Sequence, residues 1–187
     1  MANFVCDSIL AEIKKLDPNV DVFALNASTF RSGFDLEGEK NVSNFDILSS
    51  LGGINQKQAN IFTTDVTGEE LAFLVKDNIA YNSFNPERRP LFHYSGLKTD
   101  KDLILADLSM PIRNYCKYIT IGPQNEPLDA DKIYRIANPE KYFIKTKVPE
   151  IKALFERSKP LNCNVIELFK KHFEELGCVT FTPDKRI

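Results

Sequence analysis

The stretch DVFALNASTFR, residues 21–31, joins a short apolar run to a polar loop that ends in an arginine. The apolar run predicts a buried β-strand, and the loop would place Asn26, Ser28 and Arg31 beyond its carboxyl end. Ligands commonly bind at the carboxyl ends of strands, where such side chains donate hydrogen bonds. The alternative is a local role, because Asn and Ser also close turns by bonding to nearby backbone groups. The stretch therefore predicts a strand end that either binds a ligand or only turns the chain.

Hydrophobic periodicity, capping residues and helix stops predict the other elements. Thr67 and Glu70 have the spacing of a capping box, Ser43 is a predicted N-cap, and Gly177 is a predicted helix stop. Helices are predicted over residues 3–15, 43–51, from 67 onward, over 149–157 and over 164–176. Strands are predicted over residues 20–25, 60–66, 91–94, 115–121, 133–137 and 178–181. This irregular mixture predicts a single α+β domain over residues 1–187, with a mixed β-sheet flanked by helices.

Composition and charge narrow the class of protein. The chain has 187 residues, of which 43% are hydrophobic and 27% are charged, as in globular domains. Its net charge of −2 comes from dispersed charges, so we expect no nucleic-acid surface. No apolar run approaches the ~20 residues that span a bilayer. Because a predicted helix begins directly after Met1, we expect the chain to be a fragment of a longer protein, from which any targeting signal has been lost.

The side chains that usually carry catalysis are sparse. The two histidines, His93 and His172, lie far apart in the sequence, and no metal-binding or nucleophile motif occurs. We expect His93 to be structural and His172 to be exposed. The cysteines occur singly and are predicted to be small buried hydrophobes: Cys6, Cys116, Cys163 and Cys178. What remains is recognition, because the Arg31 guanidinium suits phosphate or carboxylate and the Asn26 amide suits a base or sugar edge.

Several motifs occur in the order found in one known family. They are LNASTFR (residues 25–31), similar to L-N-x-G-x-x-R; DVTGEEL (65–71), similar to L-T-G-x-E-L; YSGL (94–97), similar to V-S-G-L; PLDADKIYRIA (127–137), similar to a P-L-D-P-x-K-x-Y-x-V-A hairpin; and PDKRI (183–187), similar to a closing G-R-I. Together they make the chain resemble the C-terminal, substrate-binding domain of the 5'-nucleotidase and UDP-sugar hydrolase family.

The resemblance implies a function in nucleotide catabolism for the whole protein. This chain would be the substrate-recognition domain of a phosphohydrolase that acts on a nucleotide or a related phosphate ester, and it would not be catalytic by itself. The two divalent metal ions and the catalytic His-Asp pair are expected only in a separate N-terminal metallophosphoesterase domain, with no cofactor in this chain. An extracellular, periplasmic or secretory compartment is suggested by the resemblance alone. The alternative is a non-enzymatic binding or interaction module that kept the fold and lost nucleotide binding.

The same resemblance implies which residues bind the substrate. Asn26, Ser28 and Arg31 occupy the family's substrate loop. The family stacks the base between two aromatic rings, one of them in a Pro-Phe-Gly segment that is replaced here by residues 52–54, Gly-Gly-Ile. Phe143 is the candidate for a replacement ring, and its alternative is burial in the core. Without the usual pair of rings, we expect adenosine to bind weakly.

Overall fold

The computed structural model describes residues 2–30, 43–52, 59–84, 92–139 and 148–177. Its helices are α1 (Ala2–Leu16), α2 (Asn44–Ser50), α3 (Gly68–Phe84), α4 (Lys101–Ala106), α5 (Pro149–Phe155) and α6 (Val165–Leu176). Its strands are β1 (Val20–Asn26), β2 (Asn60–Thr67), β3 (Phe92–Ser95), β4 (Leu97–Thr99), β5 (Ile119–Ile121), β6 (Glu126–Pro127), β7 (Ile133–Pro139) and β8 (Lys159–Asn164). Turns of 3₁₀-helix cover Ala27–Thr29 and Ile112–Tyr118. Of the helices in these ranges, none has both the length and the apolar character needed to cross a bilayer.

The strands form two sheets. The larger has the order β3-β1-β7-β2-β8, and the smaller has the order β4-β5-β6. In the larger sheet β1 and β7 are parallel, and every other neighbouring pair is antiparallel. The predicted α+β fold with a mixed sheet flanked by helices is confirmed.

Each face of the larger sheet packs against its own hydrophobic core. Alternate residues of β1 point to opposite faces, so Val22 and Ala24 enter one core while Phe23 and Leu25 enter the other. Helices α3 and α5 and the smaller sheet cover the first face, and α1 and α6 cover the second. Burial on both faces holds β1 rigidly, which fixes the position of the loop that follows it.

Two of the quoted motifs have a steric reason for their glycine. In the T-G-x-E-L motif, the Thr67 hydroxyl accepts from the Glu70 N–H at 3.1 Å and the Glu70 carboxylate accepts from the Thr67 N–H at 2.8 Å, which confirms the capping box. A side chain at Gly68 would stand 1.9 Å from the Asp129 carbonyl oxygen. In the S-G-L motif, Gly96 has φ +89°, and a Cβ there would be 2.1 Å from a backbone oxygen of β1.

Three sequence predictions about local structure are wrong. The strand predicted over residues 115–121 begins only at Ile119, because Tyr115 is fully buried within a 3₁₀-helix and its hydroxyl donates to the Asp107 carbonyl at 2.8 Å. Residues 127–137 are not a hairpin, because β6 pairs with β5 whereas β7 pairs with β1 and β2. His172 is not exposed: its ring is only 18% accessible, and its Nδ1 lies 2.9 Å from the Glu12 carboxylate.

Some predictions fall on residues that the structure does not describe. They are the strand over residues 178–181, Cys178, and the site residues Arg31 and Phe143. Of the other cysteines, Cys6 and Cys116 are buried as predicted, and Cys163 is half-buried.

Candidate functional site

One edge of the larger sheet gathers the ends of several strands. Because β1 and β7 are parallel, their carboxyl ends lie side by side, and the antiparallel β2 and β3 begin at the same edge. Strand β8 also ends there, since its last residue pairs with the first residue of β2. We call this the carboxyl edge and define it by the terminal residues Asn26, Asn60, Phe92, Pro139 and Asn164. It is the edge at which the first quoted loop leaves β1.

Asn26 closes the turn that the sequence predicts after β1. It is the last residue of β1 and the N-cap of the Ala27–Thr29 turn, where its Oδ1 accepts from the Ser28 N–H at 2.7 Å. The interpretation of Asn26 as a turn residue is therefore confirmed for its oxygen. Within the described residues, its amide nitrogen donates to no protein group, and the side chain is half-buried. Asn26 can therefore close the turn and still donate to a ligand, while Ser28 lies exposed beside it.

Two further polar side chains at this edge are buried without satisfying all their hydrogen bonds. The Thr29 hydroxyl is fully buried and has no partner among the described residues. The Asn138 side chain is 2% exposed; its nitrogen donates to the Pro139 carbonyl at 3.1 Å, but its oxygen has no partner in the same part of the chain. An unsatisfied buried polar group costs about 1–3 kcal/mol. Two such groups at one edge indicate a place where water or a ligand supplies the missing bonds.

The backbone around this edge is braced from both faces of the sheet. On α3, the Asn78 side chain is buried and bonds twice to the backbone of Phe92, accepting from its N–H at 2.9 Å and donating to its carbonyl at 3.1 Å. On the other side, the ring of Phe30 packs edge-on against the ring of His93, with centroids 5.5 Å apart. The His93 ring thus serves a packing role, and the polar groups of the edge stand on a rigid support.

The five residues that define the carboxyl edge carry no charge. None of them is ionisable, so a phosphate or carboxylate would have to be neutralised by a side chain from a neighbouring segment. Arg31 follows the buried Phe30 directly in the chain. Both Arg31 and Phe143 lie outside the described residues, so the structure brings together only Asn26 and Ser28 of the four predicted site residues, and the other two remain predictions.

The potential metal-ligating side chains of the described residues do not form a cluster. Among them, no group of three or more His, Cys, Asp or Glu side chains is placed to bind a metal ion. The two histidines lie on different elements, with His93 on β3 and His172 on α6, where it contacts Glu12. What the carboxyl edge can do chemically is bind and orient a polar molecule by hydrogen bonds.

Sequence reasoning missed Thr29 and Asn138. Thr29 lies inside the first quoted stretch, but a threonine in a loop is usually exposed, and no local pattern predicted its full burial. Asn138 directly follows the predicted strand 133–137, so a polar residue after a central strand was the available signal. Burial depends on packing between distant segments, which a single sequence does not show.

Comparison with known proteins identifies a family and a fold. The profile of the family described as "5'-nucleotidase, C-terminal domain" matches residues 1–144. No curated protein matches the sequence.

Solved structures with low sequence identity share the fold. The 5'-nucleotidase precursor from Thermus thermophilus has a TM-score of 0.70 at 14% identity, covering 99% of this chain and 34% of its own. The NAD nucleotidase of Haemophilus influenzae has a TM-score of 0.65 at 14% identity, and the match covers 94% of this chain and 30% of the nucleotidase chain. The sulfate thiohydrolase SoxB of Thermus thermophilus, solved with glycerol, has a TM-score of 0.61 at 18% identity. The match covers 95% of this chain and 30% of the SoxB chain. The chain spans about a third of the length of these proteins.

Proposed function

Because the chain belongs to the 5'-nucleotidase C-terminal domain family, we propose that it is the substrate-recognition domain of a phosphohydrolase that acts on a nucleotide or a related phosphate ester. The observation that carries this proposal is the set of incompletely bonded polar groups at the carboxyl edge. The Asn26 amide, the Thr29 hydroxyl and the Asn138 oxygen offer both donors and acceptors. A nucleoside presents the complementary groups on its sugar and base.

Arg31 would supply the positive charge that the residues defining the carboxyl edge lack. Its guanidinium can bond to two oxygens of a phosphate at once, which a lysine cannot do. Phe143 would offer a ring on which a base stacks. Both assignments rest on the family resemblance and on the position of these residues next to segments that end at the carboxyl edge.

Catalysis would be the task of a separate domain. The solved structures that share the fold are about three times as long as this chain. The family resemblance implies that two divalent metal ions lie in a separate N-terminal metallophosphoesterase domain. The described residues gather no set of ligands that fits such ions. The chain would therefore hold the substrate for metals that another part of the protein provides.

A second candidate function is a binding module that has lost nucleotide recognition. It is favoured by the sequence Gly-Gly-Ile at residues 52–54, which stands where the family carries a Pro-Phe-Gly segment with a stacking phenylalanine. The two candidates differ in one measurable property, because only the first requires the chain to bind nucleotides through Asn26.

The test uses Asn26→Asp, since a carboxylate still accepts from the Ser28 N–H but cannot donate to a ligand. We expect AMP, titrated into the full chain and followed by NMR, to bind Asn26→Asp at least about tenfold more weakly than the wild type, with an unchanged Tm. Asn114→Asp is the matched control. Asn114 is exposed on the Ile112–Tyr118 helix, so this substitution adds the same negative charge away from the carboxyl edge. Equal affinities for Asn26→Asp and wild type would reject the assignment, and no binding by the wild type would favour the second candidate.

A further inference from the structure

Asn138 has a hydrogen-bonding requirement that the protein does not meet. Its amide nitrogen donates to the Pro139 carbonyl at 3.1 Å. A carbonyl can only accept, so the nitrogen must face Pro139 and the side-chain oxygen must point the other way. That oxygen is buried and has no partner among the described residues. The unmet requirement is therefore for a donor and not for an acceptor.

The position of Asn138 links it to Asn26. Ala24 and Ile136 belong to the core under α3, and each lies two residues before one of these asparagines. Because side chains alternate along a strand, Asn26 and Asn138 lie on that same face of two adjacent parallel strands. One asparagine has a nitrogen without a partner and the other has an oxygen without a partner among the described residues. The pair thus presents a donor and an acceptor to one side of the carboxyl edge.

An acceptor buried without a partner lowers the stability of the fold, and an apolar side chain of similar size would avoid that cost. The other buried residues of the central part of β7, Tyr134, Ile136 and Ala137, follow the ordinary preference for apolar or aromatic core positions. Residues that depart from local packing rules are concentrated at functional sites. Asn138 is such a departure at the edge already proposed to bind substrate.

We propose that Asn138 is a specificity-determining residue whose side-chain oxygen accepts a hydrogen bond from the ligand, given by a sugar hydroxyl or by an exocyclic amine of the base. This rests on the proposed function and adds to it the kind of group that the site selects. A buried acceptor discriminates strongly, because a ligand without the donor leaves the oxygen unpaired in the complex.

The experiment compares four probes with the full chain: AMP, 2'-deoxy-AMP, 3'-deoxy-AMP and purine riboside 5'-monophosphate, which lacks the exocyclic amine. We expect wild type to bind one of the three analogues about three- to tenfold more weakly than AMP. The analogue that loses affinity identifies the hydroxyl or the amine as the donor.

The decisive variant is Asn138→Leu, which keeps the side-chain size and removes the acceptor. We expect it to bind AMP as weakly as wild type binds the discriminated analogue, and to bind that analogue and AMP equally. Its Tm should stay close to that of wild type, because the unsatisfied oxygen and the bond from the Asn138 nitrogen to the Pro139 carbonyl are removed together, and their effects on stability oppose each other. If Asn138→Leu does not fold, Asn138→Ala removes the same oxygen without adding another acceptor, and the same loss of discrimination is expected.

The outcomes separate the two proposals. If wild type binds AMP but treats all four probes alike, or if Asn138→Leu keeps the wild-type discrimination, the role of Asn138 is overturned and the proposed function stands. If wild type binds none of the probes, both are overturned.

Discussion

The two ends of the larger sheet differ in how their polar groups are satisfied. At the end opposite the carboxyl edge, which we call the amino edge and define by Val20, Thr67 and Ile133, the side chain of Arg135 bonds to Asp65 at 2.7 Å and to Asp17 at 3.1 Å. At the carboxyl edge, the Asn26 side-chain nitrogen, the Thr29 hydroxyl and the Asn138 side-chain oxygen have no protein partner among the described residues.

The ion pairs with Arg135 at the amino edge lower the pKa values of the two aspartates that form them. The hydrogen bonds from Arg135 lower the pKa of Asp65 below its ordinary value despite partial burial. Burial acts to raise the pKa of Asp17, but hydrogen bonds from Asn19 and Arg135 outweigh burial and lower it. Partly exposed ion pairs of this kind each stabilise a fold by about 1 kcal/mol at most, whereas unpaired polar groups in a braced setting can form hydrogen bonds to a ligand. The comparison teaches that the two ends of the sheet differ: charges are paired at the amino edge, whereas polar groups are left unsatisfied at the carboxyl edge within the described residues.

The largest effect is expected at Glu12, in the layer of α1 and α6 that covers the sheet. Its carboxylate is fully buried, and although burial acts to raise its pKa, hydrogen bonds from two lysines and a histidine lower the pKa of Glu12 from 4.5 to about 2. Glu12→Gln should lower the free energy of unfolding by about 2–3 kcal/mol, because the buried charge holds partners from both helices. Chemical denaturation at pH 7 measures this.

Glu175→Gln is the matched control, because Glu175 also pairs with Lys15 but is half exposed. Removing this exposed ion pair should lower the free energy of unfolding by less than about 1 kcal/mol. The pH dependence gives a second check. A depressed pKa contributes stability that is present above about pH 4.5 and is lost as the pH falls toward 2. Glu12→Gln should lack that part of the acid sensitivity, and an unchanged acid profile would mean that Glu12 is not the group responsible.

A smaller effect of opposite sign is expected at Thr29. Thr29→Val keeps the shape of the side chain and removes the unsatisfied hydroxyl, so the free energy of unfolding should rise by about 0.5–1 kcal/mol. Thr64→Val is the control, because the Thr64 hydroxyl is buried but lies 2.6 Å from the Ser158 hydroxyl. Thr64→Val should lower the free energy of unfolding by about 1 kcal/mol, because the Ser158 hydroxyl loses its hydrogen bond to Thr64. Equal losses in both variants would show that the Thr29 hydroxyl is satisfied and that the contrast between the edges is weaker than described.

The parts of the fold that depend on local chemistry could be predicted from the sequence. The capping box at Thr67 and the stop at Gly177, which has φ +64°, act within a few residues, and both are confirmed. Strand β1 was also predictable, because a strand that is buried on both faces has a continuous apolar run, and such a run is visible in the sequence.

Features that depend on distant contacts could not be predicted. Strand β8 is exposed over much of its length and contains Pro160, so it carries no alternating pattern, and only its pairing with β2 makes it a strand. His172 was predicted to be exposed because it follows Lys170 and Lys171, yet Glu12 on α1 draws its ring into the helix contact. At the carboxyl edge, the sequence was sufficient to place Asn26 at the end of β1, but not to predict the burial of Thr29 and Asn138.

The most direct test of recognition at the carboxyl edge is an NMR titration of the isotope-labelled 187-residue chain with AMP, followed residue by residue. Such spectra detect weak binding, which we expect because the family's Pro-Phe-Gly segment is replaced by Gly-Gly-Ile at residues 52–54. Amide shifts should concentrate at Asn26 to Thr29, Phe92 and Asn138, with the amino edge around Arg135 unchanged. Shifts confined to the amino edge, or no shifts at millimolar AMP, would contradict the claim that this chain recognises nucleotides at its carboxyl edge.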